Sequence, residues 1–356
     1  MENRKRILVA PLNWGLGHAT RCIPIIRALL DQNLEPVIAS DGDALALLKK
    51  EFPRLGFVEF PSYRIQYAEK ARYFKLKMLW DTPKILKAIA LEKKQTKQLV
   101  ETLGICGIIS DNRLGVSYSD VPSVFITHQL NVLTGTTTWI SSKIHQEIIK
   151  KFDQCWVPDV AGDPNLSGKL GHLKNQNPKV KYIGAVSRLN TLENEKIYDL
   201  MVLISGPEPQ RSMLEAKLLQ QLSRYSGEVI FIKGKIEAKQ EVIKKNNILL
   251  YNYMNTSQLE KAFNQSKLVL SRSGYTTILD LAKLGKRAFF IPTPGQYEQE
   301  YLAKRLEQEK LVPYCKQDDF ELKMLDRVAG FRGLSAVDAE LDLSAFFSLF
   351  KSEREL

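Results

Sequence analysis

Short apolar runs ending in glycine- or proline-bearing turns, each followed by apolar residues at helical spacing, recur through both halves of this chain. Alternation of a buried-type strand with an amphipathic helix leaves few folds open, chiefly parallel sheets covered by helices on both faces. The clearest instance lies at 268–303. Leu268, Val269 and Leu270 form the apolar run and Arg272, Ser273 and Gly274 the turn; Ile278, Leu281, Ala282 and Leu284 then make a helix face that Gly285 stops. A second run at 288–292 ends in a proline-containing loop, after which Glu298, Gln299 and Glu300 open another helix.

A strand that feeds a helix through a glycine turn makes an anion site. The first N–H groups of the helix have no partner within it and carry the positive end of its dipole, which favours phosphate oxygens. Asp280 follows Thr276 by four residues and Thr277 by three, so it shares their face and offers a carboxylate acceptor to a pair of ribose hydroxyls. Glu298 and Gln299 suit sugar hydroxyls.

The order of strand, Arg-Ser-Gly turn, Thr-bearing helix with an acid, strand ending in Pro, and Gln-bearing loop resembles the donor-binding half of GT-B glycosyltransferases. The closest likeness is to the family 28 group that includes the lipid II-forming N-acetylglucosaminyltransferase. The resemblance implies Ser273, Gly274, Thr276 and Thr277 near a diphosphate, Asp280 on the ribose, and Glu298 and Gln299 on the transferred sugar. That family has Glu at the ribose position and a Gln pair at the sugar, so Asp280 and Glu298 are departures. An ordinary βαβ unit with polar turns is the plain alternative.

The same rhythm opens the chain. Residues 6–12 read as a buried strand, 13–18 as a Gly-rich turn carrying Gly15, Gly17 and His18, and 20–30 as an amphipathic helix despite Pro24. The full dinucleotide pattern G-x-G-x-x-G is absent, with Arg21 near where a third Gly would stand, so NAD binding is disfavoured. Further strands at 105–110 and 123–127 end in Asp111-Asn112 and in His128, Gln129 and Asn131. The resembled family carries a His-Glu-Gln-Asn run at the latter place, on its acceptor side. Polar groups at the C-terminal ends of strands fit the rule for ligand sites in open α/β sheets.

A second series begins near residue 200 with a strand, the loop 205–211 and the helix 213–222. By position the loop, with Gly206, matches a phosphate-facing turn. Arg211 fits either a bidentate diphosphate clamp or a solvated helix-start arginine. The resemblance places uracil readout on backbone groups of Tyr253 and Met254. Arg272 is a further source of positive charge for a leaving diphosphate.

The expected fold is therefore α/β of GT-B type: two Rossmann-like doubly wound domains facing across a cleft. Residues 1–186 form the acceptor side, 187–335 the nucleotide-sugar side, and a helix within 336–356 returns to the first domain. A length of 356 residues suits two such domains. Cys22, Cys106, Cys155 and Cys315 show no metal or disulfide spacing, and no run approaches the roughly 18 apolar residues of a spanning helix. The chain reads as cytoplasmic.

The expected function is metal-independent transfer of a sugar from a UDP-sugar, of UDP-N-acetylglucosamine type, to a hydroxyl acceptor; lipid-linked and cell-envelope acceptors follow from the resemblance. No cofactor is expected beyond the UDP-sugar co-substrate. His18 is the candidate base, because imidazole titrates near neutrality and the resembled loop also ends in Gly-His; the other reading is a helix cap. Asp111 is the second candidate. A nucleotide-sugar hydrolase or epimerase of the same fold is the alternative function. The net charge of +11 would suit nucleic acid, but no such motif accompanies it. Ten Lys/Arg face three acids over 64–98, together with Tyr67, Tyr73, Phe74 and Trp80, which suits peripheral contact with the inner face of the cell membrane, or else a solvated face.

Overall fold

A computed structural model describes residues 4–63, 74–132, 138–173, 177–235, 237–334 and 343–351. Two compact units divide between Val186 and Ser187, and 343–351 group with the first.

The first unit is a parallel sheet of β1 (Arg6–Pro11), β2 (Glu35–Ser40), β3 (Gly56–Glu59), β4 (Ile105–Asp111), β5 (Ser123–Ile126), β6 (Gln154–Val157) and β7 (Val180–Tyr182). Their spatial order is β3-β2-β1-β4-β5-β6-β7, every pair parallel. Helices α1 (Gly17–Asp31), α2 (Gly42–Glu51), α3 (Phe74–Leu103) and α4 (Thr138–Ile149) accompany it. Strand β1 is buried from Ile7 to Pro11 with no alternation, as expected of a strand covered on both faces. The order of connection reverses between β1 and β4, so their C-terminal ends flank a switch point.

Helix α1 begins at Gly17, three residues earlier than the sequence pattern indicates, which puts His18 in the first helical turn rather than on the loop. Pro24 lies inside it; the hydrogen bond that its missing N–H forgoes would have gone to Thr20.

The second unit holds β8 (Tyr198–Leu203), β9 (Val229–Ile232), β10 (Val242–Lys245), β11 (Ile248–Tyr251), β12 (Ser266–Ser271) and β13 (Arg287–Phe290), in the order β10-β11-β9-β8-β12-β13. All pairs are parallel except the β10–β11 hairpin. Strand β10 leaves no trace in the apolar pattern because all four of its residues are exposed. The helices here are α5 (Gln210–Leu222), α6 (Thr256–Asn264), α7 (Tyr275–Lys283) and α8 (Tyr297–Gln308). Leu200, Val202, Leu214, Leu218, Phe231, Leu270 and Phe289 form the centre of its core. The switch point falls between β8 and β12.

Residues 343–351 pack on the first unit. Trp156 of β6 is fully buried, and its ring lies 5.7, 6.1 and 6.3 Å from those of Phe346, Phe347 and Phe350. A Cβ on Gly107 would come within 2.4 Å of Phe350, so glycine in β4 makes the space for that ring. The sequence pattern indicates a helix over 339–350; among the described residues only α9 (Ser348–Lys351) is α-helical, preceded by turns.

Candidate functional site

In the first unit the polar residues converge at the ends of β1, β4 and β5. Gly15 adopts φ +76°, a left-handed conformation that favours glycine, and turns the chain from β1 into α1, where Gly17 is the first residue. His18 and Arg21, one turn apart on α1, both reach the last residue of β4. His18 Nδ1 lies 2.8 Å from Asp111 Oδ1. Arg21 Nε donates to Asp111 Oδ2 at 2.5 Å, and its Nη2 donates to Oδ1. Asp111 is fully buried and His18 has 14% of its side chain exposed.

Burial alone would raise the Asp111 carboxyl, but Arg21 and then His18 hold it at about 2, so it is a carboxylate. For His18, burial lowers the pKa most, Asp111 raises it and Arg21 lowers it, with the net result below the usual value. The imidazole is thus neutral at pH 7. A carboxylate oxygen 2.8 Å from a bare Nδ1 lone pair would repel it, so the proton sits on Nδ1 and is donated to Asp111. Nε2 then carries the lone pair and has no hydrogen-bond partner among the described residues. This is the arrangement of a general base oriented by an acid. Asp111, expected as a second-choice base, has no exposed surface; it holds His18 instead. The helix-cap reading of His18 fails too, since α1 begins without a side-chain cap.

His128, at the end of β5, is buried and its Nδ1 accepts from Arg21 Nη1 at 3.1 Å. Gln129 donates its backbone N–H to Thr127. Asn131 faces inward to its own unit: its amide nitrogen donates to Lys169 O at 2.6 Å and its backbone N–H to Leu170 O. The acceptor-side group expected from sequence is therefore split, with His128 joined to His18 through Arg21 and Asn131 spent on bracing a loop.

A second buried cluster stiffens the ends of β1, β2 and β4. Arg113 pairs with Asp41 and, at 2.8 Å, with Glu92 of α3, and its Nε donates to Pro11 O. Glu92 also accepts from Tyr63 and from the N–H of Gly115. Asn13 donates to Asp41 and accepts from Ala44 N, fixing the start of the His18 loop.

In the second unit, α7 opens on Gly274 with no side-chain cap; the Ser273 hydroxyl is turned away and donates to Gln299 O. Thr276 and Thr277 are half-buried in its first turn. Asp280, one turn on, is 6% exposed and accepts from Ser187 Oγ at 2.6 Å. Burial raises its pKa to about 6, against the opposing effects of Arg188 and Ser187.

Several expected donor residues serve structure instead. The Arg211 guanidinium is taken up by Glu208, Glu215, Ser212 and Lys233 O, so carboxylates of its own helix and of the loop before it stand where a diphosphate clamp would need phosphate. At the start of α5 the Glu208 carboxylate accepts from Ser212 N and takes the anion position there. Arg272 is fully buried and donates to Ile291 O, Pro292 O, Gln210 O and the Gln317 side chain. It ties the ends of β12 and β13 to α5, and burial lowers its pKa to about 9. Gln299 is buried and accepts from Thr293 N, while Glu298 is half-buried. Tyr253 has its N–H and C=O taken by Asn252 and Gln240, which leaves only Met254 of that pair without a backbone hydrogen bond among the described residues. Gly206 adopts φ +109° beside Thr293.

Sequence reading missed Arg21, Arg113, Glu92 and Ser187. Only Arg21 left a signal, its spacing of three residues from His18 on one helix.

The chain matches the glycosyltransferase family 28 C-terminal domain over residues 210–329. It is 24% identical over 226 residues to the UDP-N-acetylglucosamine--N-acetylmuramyl-(pentapeptide) pyrophosphoryl-undecaprenol N-acetylglucosamine transferase of Haemophilus ducreyi, covering 61% of this chain and 59% of that one. To the enzyme of the same name from Glaesserella parasuis it is 23% identical over 329 residues, 89% of this chain and 86% of the other. Among solved structures, the kitacinnamycin glycotransferase aligns with a TM-score of 0.63 at 12% identity over 99% of this chain and 94% of that one. Acinetobacter baumannii MurG aligns with a TM-score of 0.54 at 12% identity over 91% and 89%. The chain therefore has two doubly wound sheets of GT-B fold, and its second unit carries a match to the C-terminal domain of the family 28 glycosyltransferases.

Proposed function

We propose that this glycosyltransferase moves a sugar from a UDP-sugar, of UDP-N-acetylglucosamine type, to a hydroxyl of a lipid-linked acceptor. The observation that carries the reading is the Asp111–His18 pair, a neutral imidazole with its proton directed to a buried carboxylate and Nε2 open. Such a group takes the proton of an attacking hydroxyl, work that typically accelerates a reaction by about 10²–10⁴. In the second unit the start of α7, uncapped at Gly274, suits the diphosphate, and Asp280 suits the ribose. The leaving diphosphate is stabilised by helix dipole and N–H groups without a metal.

The acceptor class is taken from the relatives, whose names specify an undecaprenol-linked acceptor. Among the described residues no helix is long and apolar enough to cross a membrane, and we place the enzyme in the cytoplasm, peripheral on the inner leaflet. Much of the basic, aromatic stretch expected to touch lipid, Tyr67 and Tyr73 included, lies outside the described residues. Anionic headgroups attract basic residues at about 1 kcal/mol each.

The reading is tested by a thermal-shift panel of UDP, GDP, CMP and TDP sugars, followed by transfer assays on polyprenyl-diphosphate acceptors. A donor at 100 times its dissociation constant stabilises by about 2.7 kcal/mol, so UDP sugars should stand apart. Stabilisation by another nucleotide alone would refute the donor assignment. Release of free sugar with every acceptor offered would point to a hydrolase.

A further inference from the structure

Arg21 is 2% exposed and touches Asp111, His128 and His18. Its Nη2 lies 2.8 Å from His18 Nδ1, the same distance as Asp111 Oδ1. The two neighbours make opposite demands on the imidazole. A buried carboxylate alone would draw a second proton onto the ring, giving an imidazolium–carboxylate pair with no lone pair to act as base. A guanidinium alone, being only a donor, would strip the proton from Nδ1 and send it to Nε2. With both present, the carboxylate takes an N–H from each: Asp111 Oδ1 accepts from Arg21 Nη2 and from His18 Nδ1, while Oδ2 accepts from Arg21 Nε. The charge of the acid is thereby answered by the arginine and not by the histidine.

His128 meets the same guanidinium without a carboxylate between them. Its Nδ1 lies 3.1 Å from Arg21 Nη1. Since arginine can only donate, this nitrogen accepts, and the ring proton of His128 belongs on Nε2.

We propose that Arg21 is the positioning residue that sets the two histidines in opposite tautomers: through Asp111 it holds His18 neutral with its proton on Nδ1, and directly it holds His128 with its proton on Nε2. One ring thereby carries an Nε2 lone pair and the other an Nε2–H, set by a single cation that need touch no substrate. The groups facing His18 are Asp111 from β4, Arg21 from its own helix, His128 after β5, and the Asn112 amide at 3.5 Å. The Cys22 thiol, 3.7 Å from Asp111 Oδ2, is pushed well up by burial and stays neutral. The inference deepens the reading of His18 as base and rests on it only for the consequence to turnover.

The test is long-range ¹H–¹⁵N NMR of the histidine side chains in the full chain, which contains four histidines, with assignment by His18→Gln and His128→Gln spectra. At pH 7 the wild type should show His18 as the Nδ1–H tautomer and His128 as the Nε2–H tautomer. Arg21→Gln should raise the midpoint of His18 titration by about one unit or more. The acid limb of turnover should move with it while KM for the donor stays within about twofold. Arg21→Lys, which keeps the charge, should bring the midpoint back toward wild type. Matching tautomers for the two rings in the wild type, or a charged His18 at pH 7, would overturn the proposal even if Arg21→Gln does not fold. So would an unmoved midpoint in a folded Arg21→Gln. If the spectra are as expected but His18→Gln keeps full turnover, the assignment of His18 as base fails and the role of Arg21 in fixing the protons stands.

Discussion

Replacing Asp280 by Asn should make the protein more stable and a poorer nucleotide binder. The Asp280 carboxyl is 6% exposed, accepts one hydrogen bond from Ser187, and has its pKa raised from the usual 3.8 to about 6. Between those values the folded state binds the proton more tightly than the unfolded state, so stability falls as pH rises through roughly 4–6, and the full penalty applies at neutral pH. A displacement of about two units at 1.36 kcal/mol per unit is about 3 kcal/mol. Asn retains an acceptor for Ser187 and gives up the attraction of Arg188, so the net gain at pH 7 is about 2–3 kcal/mol. For a unit of this size that is roughly 5–10 °C in Tm. If the carboxylate receives ribose hydroxyls, exchanging charge-assisted for neutral hydrogen bonds costs about 1–2 kcal/mol of UDP binding, or roughly 5–30-fold in Kd. Calorimetric melting at pH 4.5 and 7.5, with UDP titration at pH 7.5, reads both effects. The stability gain should be present at pH 7.5 and mostly gone at pH 4.5. A destabilised Asn variant, or a gain of equal size at both pH values, would refute the electrostatic argument; unchanged UDP affinity would refute the ribose assignment.

His18→Ala should lower kcat by about 10²–10⁴ with donor affinity nearly intact; a fall in donor affinity at preserved turnover would make it a binding residue. Arg113→Met leaves Asp41 and Glu92 without their cation and should cost about 3–5 kcal/mol in urea unfolding. A loss below about 1 kcal/mol would show that Tyr63 and the Gly115 N–H hold Glu92 without the arginine. Gly107→Ala would press a methyl into the Phe350 ring, with Ile7 Cδ1 at 2.9 Å on another side, and should destabilise by about 1–3 kcal/mol. Melting of Gly107→Ala with and without Phe350→Ala checks this, since removing the ring should recover part of the loss.

Much of the architecture is legible in the chain because burial on both faces writes strands as unbroken apolar runs and helices as spaced ones. The strand cores of β1, β4, β8 and β12 and the helix stripe of α7 lie where those patterns stand, and Gly274 opens α7 because a turn residue must. The position of His18 after a Gly turn and of Asp111 at a strand end follow from the same local rules. What the sequence by itself could not supply is which partner each polar side chain takes, since partners are chosen by distances between strands remote along the chain. Asp111 and His18 are 93 residues apart and became one unit only when β1 paired with β4. Arg211 and Arg272 carry the chemistry of phosphate clamps, yet folding placed carboxylates around one and carbonyls around the other. An arginine's donors must be met somewhere once it is buried. Whether a ligand or the protein meets them is decided by what the tertiary structure brings within reach: for Arg211 and Arg21 the protein does, and for Arg272 it meets both terminal nitrogens and leaves Nε without a partner among the described residues.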